Sequence, residues 1–236
     1  MGQALIRSIA ERDDLQLGGV WVRDAQQASS LDLGPDTRVS TNIHEVVAAA
    51  DVLIDFSLPE ATPDVVAAVR DAGIPLVIGV SGLASAELQL IAAAAQSIAV
   101  VYDRNMSIGV AILERVVRQA AASLGDDFAV EVHETHHIHK LDSPSGTALK
   151  LGEAIAAARG MGTDEVHYEV ERRGEVPGDH TVTFSSATEA LTFRHSVTTR
   201  QVFADGALRA ARWALNQAPG QYAMRDVLGK KIADSL

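Results

Sequence analysis

The sequence predicts the α/β class: a doubly wound parallel sheet, with a second, α+β domain built on a mixed or antiparallel sheet. Three observations carry that reading. Up to Tyr102, short apolar runs alternate with amphipathic helical stretches, the pattern of parallel strands joined by crossover helices. Within those runs apolar residues are consecutive rather than alternate, as expected where helices cover both sheet faces. After Asn105 the order changes to one long helix and then several strands.

In chain order, residues 2–10 read as a helix, and strands follow at 17–22, 51–56, 75–80 and 98–102. Helical stretches such as 60–72 and 84–95 separate them, their apolar positions recurring at helical spacing. A helix is expected over 108–124, then a strand that opens on the alternating run 128–132 and continues into histidines. Another helix follows, then strands near 166–172, 180–185 and 190–196, and a last helix over 205–216. No repeat, low-complexity tract or long linker interrupts the chain, so the domain boundary is placed at residues 105–107.

Composition sets looser limits. A chain of 236 residues, 47% hydrophobic and 22% charged, suits one large or two modest globular domains. No stretch is long and apolar enough to cross a membrane, and the first residues lack the charged region, apolar run and cleavage site of a secretory signal. With no cysteine there is no disulfide, which fits a cytoplasmic home. A net charge of −11 argues against a broad nucleic-acid surface. An anionic ligand must then be attracted locally.

Residues 134–149 provide the place. Ser143 can cap a helix, Pro144 suits a first helical position, and Ala148, Leu151 and Ile155 recur at helical spacing. The backbone N–H groups of Ser145, Gly146 and Thr147 are then expected to be free at the positive end of a helix dipole, a setting for carboxylate or phosphate. Capping alone would also explain these residue types. Just before them, His133, His136, His137 and His139 place four of the eight histidines within seven residues, followed by Lys140. Histidine trades protons near neutral pH, and the lysine adds a fixed cation. His133 reads as an ordinary strand residue. No metal is expected: there is no Cys, no His pair at i, i+4 around a Glu, and Lys140 would repel a cation.

The run from His136 to Ala148 resembles the signature of the dihydrodipicolinate reductase family, His-His-x-x-Lys-x-Asp-x-Pro-Ser-Gly-Thr-Ala, without a gap. Other stretches fit the same family in the same order: Asp55-Phe56-Ser57-Leu58-Pro59-Glu60, Gly79-Val80-Ser81-Gly82, Asn105-Met106-Ser107-Ile108-Gly109, Arg173-Gly174-Glu175-Val176-Pro177-Gly178 and Phe203-Ala204-Asp205-Gly206. The resemblance implies a Rossmann-like dinucleotide-binding domain over 1–106 and 201–236, and a substrate-binding and oligomerisation domain over 107–200. It implies NAD(P)H-dependent reduction of a dicarboxylated, pyridine-type ring in lysine and diaminopimelate biosynthesis, by a homotetramer.

On this reading His136 is the general acid. Lys140 holds a substrate carboxylate and shares in proton transfer, while His137, Ser145, Gly146 and Thr147 complete the carboxylate contacts. The cofactor side falls to Gly2, Arg23, Phe56, Ser57, Gly79, Val80, Ser81, Asn105 and Met106. The family turn Gly-Thr-Thr-Gly here reads Gly79-Val80-Ser81-Gly82, which leaves a backbone role intact. An NAD-specific fold places an acid near the end of the second strand; here stand Val22 and Arg23, and Arg23 suits a 2′-phosphate, so NADPH is preferred with NADH possible. The junction at residues 105–107 is expected to act as a hinge. The family opens with a strand and a glycine-rich loop ending Gly-Arg-Met-Gly, whereas this chain begins at Met1-Gly2. Relative to that pattern the first strand and most of the loop are absent, which would leave neighbouring strands with an unpaired edge. Alternatives outside the reductase class are a protein that binds a dicarboxylate without catalysis and a metal-dependent hydrolase built on the histidines.

Overall fold

The computed structural model describes residues 1–229 other than 25, 27–30, 32, 35 and 36. Its helices are α1 (Gly2–Ala10), α2 (Ile43–Val47), α3 (Thr62–Ala72), α4 (Ser85–Ala94), α5 (Ile108–Leu124), α6 (Gly146–Arg159), α7 (Gln201–Ala214) and α8 (Met224–Val227). Its strands are β1 (Gly19–Trp21), β2 (Arg38–Ser40), β3 (Leu53–Asp55), β4 (Leu76–Ile78), β5 (Ala99–Tyr102), β6 (Ala129–His136), β7 (His167–Arg172), β8 (Asp179–Ser185), β9 (Ala190–His195) and β10 (Gly220–Tyr222). The chain divides into two compact units, Met1–Met106 with Phe203–Leu236, and Ser107–Val202. No helix among the described residues is long and apolar enough to cross a membrane.

In the first unit every strand pairing is parallel. Strands β10, β5, β4 and β3 form one sheet in that order, and β1 and β2 form a separate pair. Among the described residues β1 and β3 therefore each have one partner strand and present an edge. All three residues of β4, and Val100 and Val101 of β5, have no exposed surface. Val65 and Val69 of α3 and Ile91 of α4 belong to the same core, which explains the consecutive apolar positions in the strands. Helix α3 ends on Gly73 at φ +70°, a left-handed cap that only glycine adopts cheaply.

The C-terminal part of this unit is tied in by polar contacts. Ser8 Oγ donates to Asp205 Oδ1 at 2.9 Å, and Asp103 Oδ2 accepts the Met224 backbone N–H at 3.0 Å. A Cβ at Gly206 would lie 1.8 Å from the Met106 carbonyl oxygen, so α7 approaches that backbone as only glycine allows. The sequence reading misses β2 and β10, three-residue strands without an apolar run. The last helix begins at Gln201 rather than 205, with Thr199 Oγ1 accepting the Gln201 N–H at 3.0 Å.

In the second unit β7, β6, β8 and β9 form a mixed sheet: β7 runs parallel to β6, and the other pairings are antiparallel. One core joins Leu113 and Val117 of α5, Leu151 and Ile155 of α6, Val132 of β6, and Val182 and Phe184 of β8. Between the two helices Lys150 Nζ lies 2.8 Å from Glu114 Oε2, both side chains largely buried. The apolar sheet face is thus covered by the chain's own helices. The other face carries Glu131 and His133 of β6 and Thr181 and Thr183 of β8 and is polar.

Candidate active site

The site grows from the register of this second sheet. Side chains of a strand alternate between faces, so Val132, Glu134 and His136 share the inner face of β6 and all three are buried. On β8 the register sets Val182 against Val132 and His180 against Glu134. The apolar stripe therefore gives way, at the C-terminal end of β6, to a carboxylate flanked by two imidazoles. The parallel neighbour β7 contributes Arg172, paired with His136.

Glu134 is the centre of this cluster and has no exposed surface. Its Oε1 accepts the Ser145 backbone N–H at 3.0 Å and lies 3.3 Å from Arg172 Nη2. Its Oε2 lies 3.2 Å from His136 Nδ1 and 3.8 Å from His180 Nε2. Burial alone would raise this carboxyl, but hydrogen bonds with His136 and Ser145 outweigh burial and hold it down to about 2. His180 is pushed the other way from charge: burial first, then the neighbouring His136, lowers it to about 3, so its ring is neutral. The two rings meet edge to face with centroids 5.1 Å apart.

Arg172 links this cluster to the loop that carries Lys140. Its guanidinium donates to the Asp142 carbonyl at 2.6 Å and to the Lys140 carbonyl at 3.4 Å. Lys140 Nζ in turn holds Asp142 Oδ1 at 2.7 Å. Burial would raise the Asp142 carboxyl, but Lys140, together with backbone N–H groups that include that of Gly146, lowers it.

The helix start differs from the sequence reading. Ser145, not Ser143, caps α6: its Oγ accepts the Ala148 N–H at 3.1 Å, and the helix begins at Gly146, with Pro144 outside it. The Ser145 N–H is not free, because Glu134 has taken it from across the fold, and its hydroxyl also lies 3.3 Å from His180 Nε2. Ser145 and Thr147 are both buried, and Gly146 between them is partly exposed. His137 is more open, with Nε2 3.3 Å from Arg200 Nη2, and burial followed by that guanidinium lowers its pKa. His139 faces Glu175 at the surface, and His133 lies on the other sheet face from His136.

Glu134, His180, Arg172 and Asp142 are the residues that the sequence reading leaves out. Glu134 could have been found, since it stands two positions before His136 on one strand. His180 and Arg172 are far along the chain and join the site through register alone. Arg173, next to Arg172, pairs instead with Glu171 at 3.4 Å and is exposed. Glu134, His136 and His180 also offer three ligand atoms within 4.8 Å of one another, the kind of group that can hold a metal ion.

The residues expected on the cofactor side lie in the first unit. Gly2 opens α1, where Met1 provides no side-chain cap and a Cβ at Gly2 would meet nothing within 4 Å. Arg23 is exposed just beyond β1. Phe56 lies against Gly79, where a Cβ would come 2.4 Å from the ring, and the Ser57 N–H is held by Asp55 Oδ1 at 2.8 Å. Ser81 is exposed, and the turn ends on Gly82 at φ +76°. Val80 and Met106 are buried in the core. The Asn105 N–H bonds Asp103 Oδ1 at 3.3 Å.

A family model for the N-terminal part of dihydrodipicolinate reductase matches residues 1–106, and one for its C-terminal part matches 109–228. The 4-hydroxy-tetrahydrodipicolinate reductase of Pseudoalteromonas translucida (strain TAC 125) is 37% identical over 98% of this chain and 95% of its own length. That of Alkalilimnicola ehrlichii (strain ATCC BAA-1101 / DSM 17681 / MLHE-1) is 38% identical over 97% and 95%. Among solved structures, a dipicolinate-bound dihydrodipicolinate reductase from Paenisporosarcina sp. TG-14 superimposes with a TM-score of 0.78 over 94% of this chain and 92% of that one, at 20% identity. With both halves matched, and two near-full-length relatives above a third identical, the chain belongs to the dihydrodipicolinate reductase family.

Proposed function

We infer that the chain is an NAD(P)H-dependent oxidoreductase that reduces 4-hydroxy-tetrahydrodipicolinate to tetrahydrodipicolinate, a step of lysine and diaminopimelate biosynthesis. The observation that carries the substrate class is the Asp142 carboxylate held between Lys140 Nζ and the start of α6. The segment that should bind a carboxylate already binds one. Arg172 ties that anion site to the buried His136 through Glu134, so a dicarboxylated ring on Lys140, Gly146 and Thr147 has an imidazole within the same cluster.

The first unit fits a dinucleotide. The first N–H groups of a helix have no partner within it, and α1 begins on a glycine without a side-chain cap, which suits a phosphate. Backbone at Gly79, Val80, Ser81, Asn105 and Met106, with Phe56 and Ser57, would border the rest, and Arg23 favours the 2′-phosphate of NADPH over NADH. The bound nucleotide supplies the hydride. His136 then gives the proton that completes the reduction, and Lys140 holds a carboxylate and steadies charge on the ring, with His137 beside it. Assembly as a homotetramer through the open, polar face of the second sheet, in the cytoplasm, completes the proposal.

The test is steady-state turnover with enzymatically generated substrate and NADPH. His136→Gln should lower kcat by about 10²-fold or more with little change in KM, whereas Lys140→Met should raise KM and lower kcat together. A chelator should leave the rate unchanged. The opposite split would reverse the two roles. Substrate binding without NADPH oxidation would make the chain a binding protein, and loss of activity to the chelator would make it a metal enzyme.

A further inference from the structure

We propose that Glu134 is the positioning residue of the acid: it holds His136 as the Nδ1–H tautomer, leaving Nε2 to deliver the proton, and anchors the substrate-binding helix start to the same carboxylate. The proposal rests on His136 being the general acid. It stands on geometry that no neighbouring residue duplicates. Glu134 Oε1 is occupied by the Ser145 N–H and the Arg172 guanidinium, so only Oε2 is left for the rings. Of these, His136 Nδ1 is nearer, at 3.2 Å against 3.8 Å for His180 Nε2. Neither atom has another hydrogen-bond partner, and an anionic carboxylate 3.2 Å away can only accept, so the pairing favours a hydrogen on Nδ1.

The other ring nitrogen lies beside Gly178. A Cβ at Gly178 would sit 2.8 Å from His136 Nε2, so glycine keeps that edge clear where any other residue would block it. His180 is the one other imidazole in contact, and its Nε2 also lies 3.3 Å from Ser145 Oγ. It stays neutral and does not compete for the proton. The proton balance is simple: Nε2–H of the imidazolium breaks as the ring of the substrate, having taken the hydride, is protonated. His136 is left neutral with its hydrogen on Nδ1, and solvent restores the Nε2 hydrogen.

The carboxylate thus does two things at once. Oε1 sets where α6 starts, and with it Gly146 and Thr147, while Oε2 sets which nitrogen of His136 is the donor. A residue that only filled the core would not need both oxygens aimed at functional elements.

Two measurements on the full-length enzyme test this. In nitrogen-15 spectra of the neutral ring, wild-type His136 should show hydrogen on Nδ1, and Glu134→Gln should shift it towards Nε2; a wild-type ring with hydrogen on Nε2 overturns the proposal whether or not the variant folds. In kinetics Glu134→Gln should lower kcat at least about tenfold while KM for the dicarboxylate moves by less than about threefold. The glutamine oxygen can still accept the Ser145 N–H, so the same change made in a His136→Gln background should cost almost nothing more in kcat, because the group through which it affects turnover is gone. An equal loss in both backgrounds would show that Glu134 serves folding and would sink the idea. If His136→Gln alone leaves kcat intact, the acid assignment itself fails and takes the positioner with it.

Discussion

His180 should make the protein acid-labile in a window where few other groups respond. Burial, then the charge of His136, pushes the ring down to about 3, against 6.5 in an unfolded chain. The folded state therefore excludes a proton that the unfolded state accepts. The stability this represents is present above about pH 6.5 and is lost as pH falls towards the folded value. At pH 5 the folded ring is still neutral, so the loss is set by the unfolded ring alone: 1.5 pH units at 1.36 kcal/mol each, or about 2 kcal/mol. Glu134 works in a separate window. Its folded value of about 2 lies below 4.5, so its contribution is present above pH 4.5 and erodes only below it. Urea unfolding of wild type and His180→Gln at pH 7, 6 and 5 measures the difference; glutamine can place an amide near where Nε2 meets Ser145 and Glu134. The gap between the two proteins should shrink by about 2 kcal/mol from pH 7 to pH 5, while His137 and His195, also lowered, are common to both and cancel. Curves that stay parallel would mean that His180 is protonated in the native state, and the charge assignment of the cluster would be wrong.

Asp142 occupies Lys140 in the free protein, so it competes with the ligand. Asp142→Asn should lower KM for the dicarboxylate by about two- to fivefold, the range of a half-exposed ion pair, and a raised KM in the same assay would show that Asp142 shapes the loop instead. Lys150→Met should remove the ammonium 2.8 Å from the buried Glu114 carboxylate in the seam between α5 and α6, at a cost of about 3–5 kcal/mol, read as a fall in Tm on the order of 10 °C. Adding Glu114→Gln should recover much of the loss; an unchanged Tm in the single variant would show that the charge reaches water.

The parts of the fold visible in the sequence are those whose signal is local. Helix α5 was placed to the residue at both ends because its cap Ser107, its apolar spacing and the following Gly125 are all contiguous. Strands β4 and β5 showed as apolar runs, slightly overlong, since flanking residues such as Pro75 and Val80 are apolar without being paired. In the candidate site, the proposed residues His136, Lys140, Gly146 and Thr147 are legible for the same reason: they stand within twelve residues of one another. The helix start was misplaced by two residues because its true determinant, Glu134, acts across the sheet on the Ser145 N–H. His180 and Arg172 carry no mark of their role; a histidine in an alternating strand and an arginine at a strand end are ordinary until β6 pairs with both neighbours.

The cluster of Glu134, His136 and His180 has the donor set of a zinc site, and charge decides between a metal ion and a proton. In the free protein Glu134 is matched by Arg172 and Asp142 by Lys140, so the site is already neutral without an added cation. A dication would sit beside the Arg172 guanidinium with one Glu134 oxygen to bind, since Oε1 is taken, and among the described residues no further carboxylate in the cluster offsets the excess positive charge. A proton on His136 needs only one compensating charge, and a dicarboxylate arriving on Lys140 brings two. One arginine and one backbone N–H already hold Glu134 Oε1, so the proposed role of His136 as proton donor asks for no metal ion there.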